Sequence, residues 1–406
     1  MPTDAAAAPA TPAAAAPAAP EPKWYDIINV GAFVDGYFNL NYNVPRPSGA
    51  VLASGSQPNK YHPFNPSTGF SLAWVGVDLS VDPDPVGAVL QLRFGPSVPA
   101  LGGSDFVAPG GMGNVQNGYV QWKPGGKTGK TTLIFGKFDT IYGAEVAQSH
   151  LNINYTRGLL YNLAQPFFHT GFRADIGVTD TLTLKLMAVN GWNNTIDNNE
   201  MKTFGGQLAL APSDKMTLSA GYLGGPEGAD SATCASGTSP DATGRACAPT
   251  PAGSASGGTI NNPGANTRWR HMVDVVGDFK PTDKIHVMVN GDYVSDTIVG
   301  ALNEDKKVSW YGAAILGRYA FTDVWAAGLR GEIIGDPDSV LTGIAANDGV
   351  MVYSGTLTIE ALPHKNLVIR LDNRIDAASE DAFQTKVSGI SKSQITTTLG
   401  IVAKTN

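Results

Sequence analysis

Several absences bound this chain before any pattern is sought. It holds no run of eighteen or more apolar residues, so it offers no transmembrane helix, and a closed barrel is the remaining way to cross a bilayer. It has no cluster of Lys or Arg, and its formal net charge is -7. The electrostatic footprint of a nucleic-acid binder is therefore missing, and no nucleic-acid partner is expected. Cysteine is nearly absent. Cys234 and Cys247 are the two present, both in a Gly/Ser/Pro-rich stretch far from any His pair, so no zinc or other metal site is expected. A local disulfide closing a loop tip is preferred to two unpaired thiols, since exposed free Cys is disfavoured. No cofactor is implied. The first 22 residues, rich in Ala and Pro, have neither a basic start nor a Leu/Val-rich core. They are not a signal peptide, and an exported protein would have lost its targeting signal from this sequence. Residues 1–23 read as a disordered periplasmic tether, and residues 24–406 as the folded unit.

What is present is glycine and alternation. Glycine accounts for 48 of 406 residues, above the usual share of about 7%, and the apolar residues are interspersed with Thr, Ser, Asn and Asp. From Trp24 onward the pattern has period two. Ile28, Val30, Ala32, Val34, Gly36, Phe38 and Leu40 share one parity, with Asn29, Gly31, Phe33, Asp35, Tyr37, Asn39 and Asn41 on the other, as expected of a strand with one apolar face. Sixteen such strands are expected at 27–42, 69–82, 86–95, 115–123, 131–138, 167–178, 181–191, 203–211, 215–224, 268–280, 284–296, 307–321, 323–335, 350–361, 366–376 and 392–404.

Their connections alternate between short and long. Turn chemistry such as Asp82-Pro83-Asp84-Pro85, Pro124-Gly125-Gly126 and Pro212-Ser213-Asp214 marks seven tight turns. Eight long loops lie at 43–68, 96–114, 139–166, 192–202, 225–267, 297–306, 336–349 and 377–391. An antiparallel sheet on a soluble core would explain any one strand, but open twisted sheets rarely exceed about ten strands, and only closure removes the edges of about sixteen. The fold class is thus all-β: a transmembrane, antiparallel up-and-down β-barrel of about sixteen strands, with short periplasmic turns and long extracellular loops. Trp192, Tyr222, Trp269 and Trp310 on the loop side and Phe279, Phe321 and Trp325 on the turn side suit two interfacial girdles.

The loop 139–166 is the longest orderly one, and a connection of that length is usually functional. Gly136-Lys137-Phe138, Gly143-Ala144-Glu145, Asn154-Tyr155-Thr156-Arg157, and Pro166 followed by His169-Thr170-Gly171 resemble the hallmark region of the OmpL-like β-barrel porins of bacterial outer membranes. The strand layout extends the likeness to about residues 24–404. The resemblance implies an outer-membrane barrel, and it favours an inward-folded loop because its motifs concentrate there. Barrels of that kind commonly end on an aromatic residue. This sequence ends Ile401-Val402-Ala403-Lys404-Thr405-Asn406, which points to a different recognition signal or to missing residues.

An inward loop would place Glu145, His150, Asn152, Asn154, Tyr155 and Arg157 at a pore constriction, with Ile141, Leu151, Ile153, Leu159 and Leu160 pinning it to the wall; a lid outside the barrel is the competing placement. Strand parity turns Arg93, Arg173, Asp175, Lys185, Arg270, Asp274, Asp292, Arg318, Arg330, Glu332, Arg370, Asp372 and Arg374 to the lumen, with Asp35, Asp78, Arg268, Asp278 and Glu360 beside them. Their charges nearly balance. Selectivity would then depend on which of them face one another at the narrowest point, although many are expected to be cross-strand ion pairs that stiffen the wall. The acidic loop segments Asn303-Glu304-Asp305 and Asp336-Pro337-Asp338 read as solvated charge rather than cation or lipopolysaccharide sites.

The expected function is an outer-membrane porin: a water-filled channel for passive diffusion of small hydrophilic solutes and ions, narrowed by loop 139–166. The alternative is a plugged structural or adhesive barrel. Catalysis is not expected, because Glu145, Ser149 and His150 form the only local trio and lack any nucleophile-elbow or metal-ligand spacing. The expected partners are outer-membrane lipid and lipopolysaccharide, the solutes, and a homo-oligomeric copy.

Overall fold

The computed structural model describes residues 24–45, 58–102, 112–228, 231–233, 238–240, 247–249, 259–261, 265–299, 305–344, 346–386 and 389–405. The tether at 1–23 and Cys234 lie outside these residues, as does the side chain of Cys247, so the expected disulfide falls outside what is described.

Sixteen antiparallel strands close into one barrel, each paired with its neighbours in sequence. They are β1 (Ile28–Asn41), β2 (Gly69–Val81), β3 (Val86–Phe94), β4 (Val115–Trp122), β5 (Thr131–Asp139), β6 (Phe168–Gly177), β7 (Leu182–Val189) and β8 (Thr203–Ser213). The second half comprises β9 (Met216–Pro226), β10 (Trp269–Thr282), β11 (Ile285–Val299), β12 (Asp305–Ala320), β13 (Trp325–Asp336), β14 (Val350–His364), β15 (Leu367–Ala378) and β16 (Ser393–Lys404). Closure comes from β1 pairing with β16, in a register running from Phe33 opposite Lys404 to Asn41 opposite Thr396. Every expected strand is found, with ends shifted by no more than a few residues. No helix among the described residues is long and apolar enough to cross a membrane.

The alternation sets the two faces. Along β15, Leu371 and Ile375 are exposed on the outside, while Arg370, Asp372, Arg374 and Asp376 are buried within. Along β1, Val30, Val34 and Leu40 point out, and Asp35, Tyr37, Asn39 and Asn41 point in. Such a strand satisfies its backbone in the ladder and sorts its side chains by the pleat, which is why apolar residues stand exposed all around the wall.

Part of the aromatic expectation is corrected. Tyr222, Phe321 and Trp325 stand exposed on the outer face, but Trp310 is buried inside. It has the same parity in β12 as Val308, Ala314 and Leu316, which are also buried. With Trp192, set edge-on to it, it forms a corner that receives the Arg270 guanidinium, at 5.4 and 5.0 Å from the Trp310 and Trp192 ring centroids. Proximity to a strand end does not decide the direction of an aromatic ring; parity does.

Candidate functional site in the loop-filled lumen

Loop 140–167, between β5 and β6, folds into the barrel and ties itself to the wall through inward carboxylates and short donors. At β1, Asp35 is fully buried and accepts the Tyr155 hydroxyl at 2.6 Å, the Ser149 hydroxyl at 2.6 Å and the Trp74 indole N–H at 3.2 Å. Two strands along the same wall, at β15, Asp372 accepts the Thr156 amide and hydroxyl, both at 2.8 Å, and the Thr358 hydroxyl at 2.7 Å. Asn154 donates to that same Thr358 oxygen at 2.7 Å. On β10 and β11, Asp274 and Asn290 accept the Gly143 and Ala144 amides, each at 3.1 Å. A loop that returns through an enclosed space must pair its backbone groups, and these residues supply the partners that strands would otherwise provide.

The centre of the clamp is Arg330 on β13. Its guanidinium lies 2.8 Å from Glu145 of the loop and 2.9 Å from Glu332 of its own strand. Glu145 also accepts the Gly158 amide at 2.8 Å, and Glu332 accepts the Leu160 amide at 3.1 Å. All three side chains are buried, an arrangement that holds only while each charge keeps its partner. Gly158 is fixed by this packing, since a Cβ there would overlap the Glu332 and Glu145 carboxylates. Where the loop presses on the wall, inward positions are likewise glycine. A Cβ at Gly400 would overlap the Tyr155 ring, at Gly312 the Leu160 side chain, and at Gly205 or Gly221 that of Tyr142.

The six loop residues singled out by sequence divide into two groups. Glu145, His150 and Asn152 line a cavity of about 620 Å³ beneath the loop. Asn154, Tyr155 and Arg157 are buried anchors. Arg157 gives its Nε hydrogen to the Ala147 carbonyl at 2.7 Å, and its guanidinium lies 4.4 Å from the centre of the Phe64 ring. His150 is held neutral, its pKa pushed down to about 4 by burial and then by the nearby cations Lys404, Arg370, Arg157 and Arg93.

The lumen-facing charges are mostly paired. Arg93 meets Asp78 at 2.6 Å and Arg173 meets Asp175 at 3.0 Å, with Lys185 opposite Asp175 in the ladder. Arg270 meets Asp296 at 2.6 Å. Arg318 and Arg370 share Glu360, at 2.6 and 2.7 Å. Arg374 meets Asp376 at 2.7 Å and gives a hydrogen to the Arg157 carbonyl at 2.7 Å. Asp274 and Asp292 face each other as register partners, with the Asn290 amide donating to both.

Three features escape the sequence reading. Residues 58–67 of the first long loop also enter the barrel: the Asn59 amide donates to Asn39 at 3.0 Å, His62 lies 2.8 Å from Asp376, and Phe64 covers Arg157. The hydrogen-bonded cluster of Asp139 with buried Gln116 and Asn117 joins β5 to β4. Asp336, expected to be solvated, is fully buried and accepts the Val340, Leu341 and Thr342 amides at 2.8–2.9 Å, so it organises its own loop. The signal for Asp336 was present as an Asp followed by Ser and Thr, which favour such local turns.

Comparison with known proteins agrees with this architecture. The outer-membrane channel DcaP of Acinetobacter baumannii superposes with a TM-score of 0.58 at 13% identity, over 93% of this chain and 97% of that one. OmpT of Vibrio cholerae, in its trimer form, gives 0.51 at 12% identity over 93% and 99%. An anion-selective porin from Comamonas acidovorans gives 0.53 at 9% identity over 93% and 99%. No curated protein sequence matches the chain. The model of the beta-barrel porin-2, OmpL-like family matches residues 27–404. With the whole barrel inside that match, the chain belongs to the OmpL-like beta-barrel porin-2 family and is an outer-membrane porin.

Proposed function

We propose that this porin passes small hydrophilic solutes and ions by passive diffusion and that loop 139–166 sets its narrowest point, without enzymatic activity. The observation that carries this reading is the clamp itself: one loop held across the lumen between Asp35 of β1 and Asp274 of β10, with the Arg330–Glu145 pair between them. A polar loop pinned at opposite walls narrows the passage and presents Glu145, His150 and Asn152 to whatever enters from the turn side. Ser149 gives its hydroxyl hydrogen to Asp35, which supports a structural serine rather than a nucleophile. The exposed apolar wall suits outer-membrane lipid and lipopolysaccharide, and a second copy of the chain, as neighbours. Single-channel recording of the refolded chain in planar bilayers tests the reading: Glu145→Gln and Arg157→Gln are expected to change the cation/anion permeability ratio, and an unchanged ratio in both rejects the loop as the selectivity element.

A second reading, a plugged barrel, has its own supporting observation. Arg157 is only 2% exposed, beneath Phe64 of the first long loop, so two loops are stacked in the outer half of the lumen. Absence of conductance in the parent protein, with conductance gained on loosening either loop, would favour it.

A further inference from the structure

We propose, building on the channel reading, that the turn-side cavity is a binding site for small organic anions that carry an apolar body, such as aromatic or short aliphatic carboxylates. The cavity, about 620 Å³, is within the range of small-ligand pockets, roughly 300–1,000 Å³. It lies between the underside of loop 139–166 and the turn-side ends of β11, β12, β14, β15 and β16. Its charge is unbalanced. Four cations, Arg318, Lys365, Arg370 and Lys404, face three carboxylates, and one of these, Glu145, is already engaged by the buried Arg330. Two guanidiniums share the single Glu360. Among the described residues, neither Lys365 nor Lys404 has a carboxylate within ion-pair distance, and Asp323 is paired with no cation. The low titration point of His150 in the cavity roof, due first to burial, also reflects Lys404 and Arg370 beside it.

Beside His150, Asn152, His286 and His364, much of the remaining lining is apolar. Leu151, Met288, Leu316 and Leu362 border the same space, and Leu151 is 66% exposed into it. A simple ion-selective vestibule has no need of such a floor. Apolar surface next to uncompensated cations suits a ligand that buries a ring or short chain while its carboxylate meets a guanidinium or ammonium group.

The test uses the full chain in detergent, titrated calorimetrically with benzoate, benzylammonium and acetate. Benzoate is expected to bind, benzylammonium at least about tenfold more weakly through its reversed charge, and acetate about tenfold more weakly through its missing ring. Lys365→Gln combined with Lys404→Gln, two turn-side positions outside the loop clamp, should weaken benzoate binding about tenfold. Leu151→Ser, on an already exposed side chain, should weaken it about threefold. No benzoate binding, equal binding of benzylammonium, or benzoate binding untouched by both variants would overturn the assignment. Bilayer conductance separates this from the channel reading. Benzoate binding to a non-conducting barrel keeps the site and defeats the channel, whereas conduction without benzoate binding does the reverse.

Discussion

The two halves of the lumen are built by the same strands and could hardly differ more. On the loop side, β15 presents Arg374 and Asp376, both buried, and His62, Phe64 and Arg157 fill the space in front of them. On the turn side, the same strand presents Val368 and Arg370 to an open cavity of about 620 Å³. The alternation along the strand is unchanged between the halves; what changes is whether a loop comes back to meet it. A wall of alternating residues therefore specifies a barrel, and the returning loops specify how much of it is passage.

The comparison can be broken most sharply at Arg330. Arg330→Ala would leave Glu145 and Glu332 buried without their cation, a change that costs about 3–5 kcal/mol. The loop should lose its central hold, and single-channel conductance should rise together with protease sensitivity near residue 158. Gly400→Val comes next, because its side chain would overlap the Tyr155 ring, and overpacking of this kind costs about 1–3 kcal/mol. Thermal denaturation should show the loss, and adding Tyr155→Ala should recover part of it, as coupling between contacting residues requires.

Tyr155→Phe removes only the hydroxyl donated to Asp35, costing about 1–3 kcal/mol because the buried carboxylate loses one of its donors. A larger open-state noise without a change in mean selectivity is expected. Phe64→Ala should uncover Arg157 and make the outer half resemble the inner one. Anion permeability would then increase modestly, measured as a shift in reversal potential. The smallest effect belongs to His150. Because its pKa lies near 4, below the ordinary value of about 6.5, it stays neutral above that point and gains charge only as pH falls through it. Parent and His150→Gln should have matching permeability ratios near neutral pH, and the parent should become the more anion-preferring of the two only around pH 4.

Much of this architecture was legible from residue order. The strands emerge because a period of two, repeated between Gly- and Pro-marked turns, admits few other structures. Parity placed Arg330, Glu332, Asp372 and Arg374 inward, and the loop between β5 and β6 stood out by its length. Less visible was the division of labour within that loop. Nothing local distinguishes Glu145, which meets a cation on β13, from Asn154, which meets a hydroxyl on β14. The inward glycines were a signal left unread. Gly205, Gly221, Gly312, Gly328 and Gly400 occupy lumen-facing positions where a side chain of the loop now sits, and such a track in a strand marks a close approach.

The sequence alone determined the number of strands, the face each residue takes and the end at which the long loops emerge, because these follow from the pleat and from turn chemistry over a few neighbouring residues. The tertiary structure decided which loops return into the barrel, which charges meet and where open space remains. Those outcomes depend on contacts such as Tyr155 with Asp35, 120 positions apart in the chain, and they become definite only once closure of β1 on β16 has fixed the distance across the lumen.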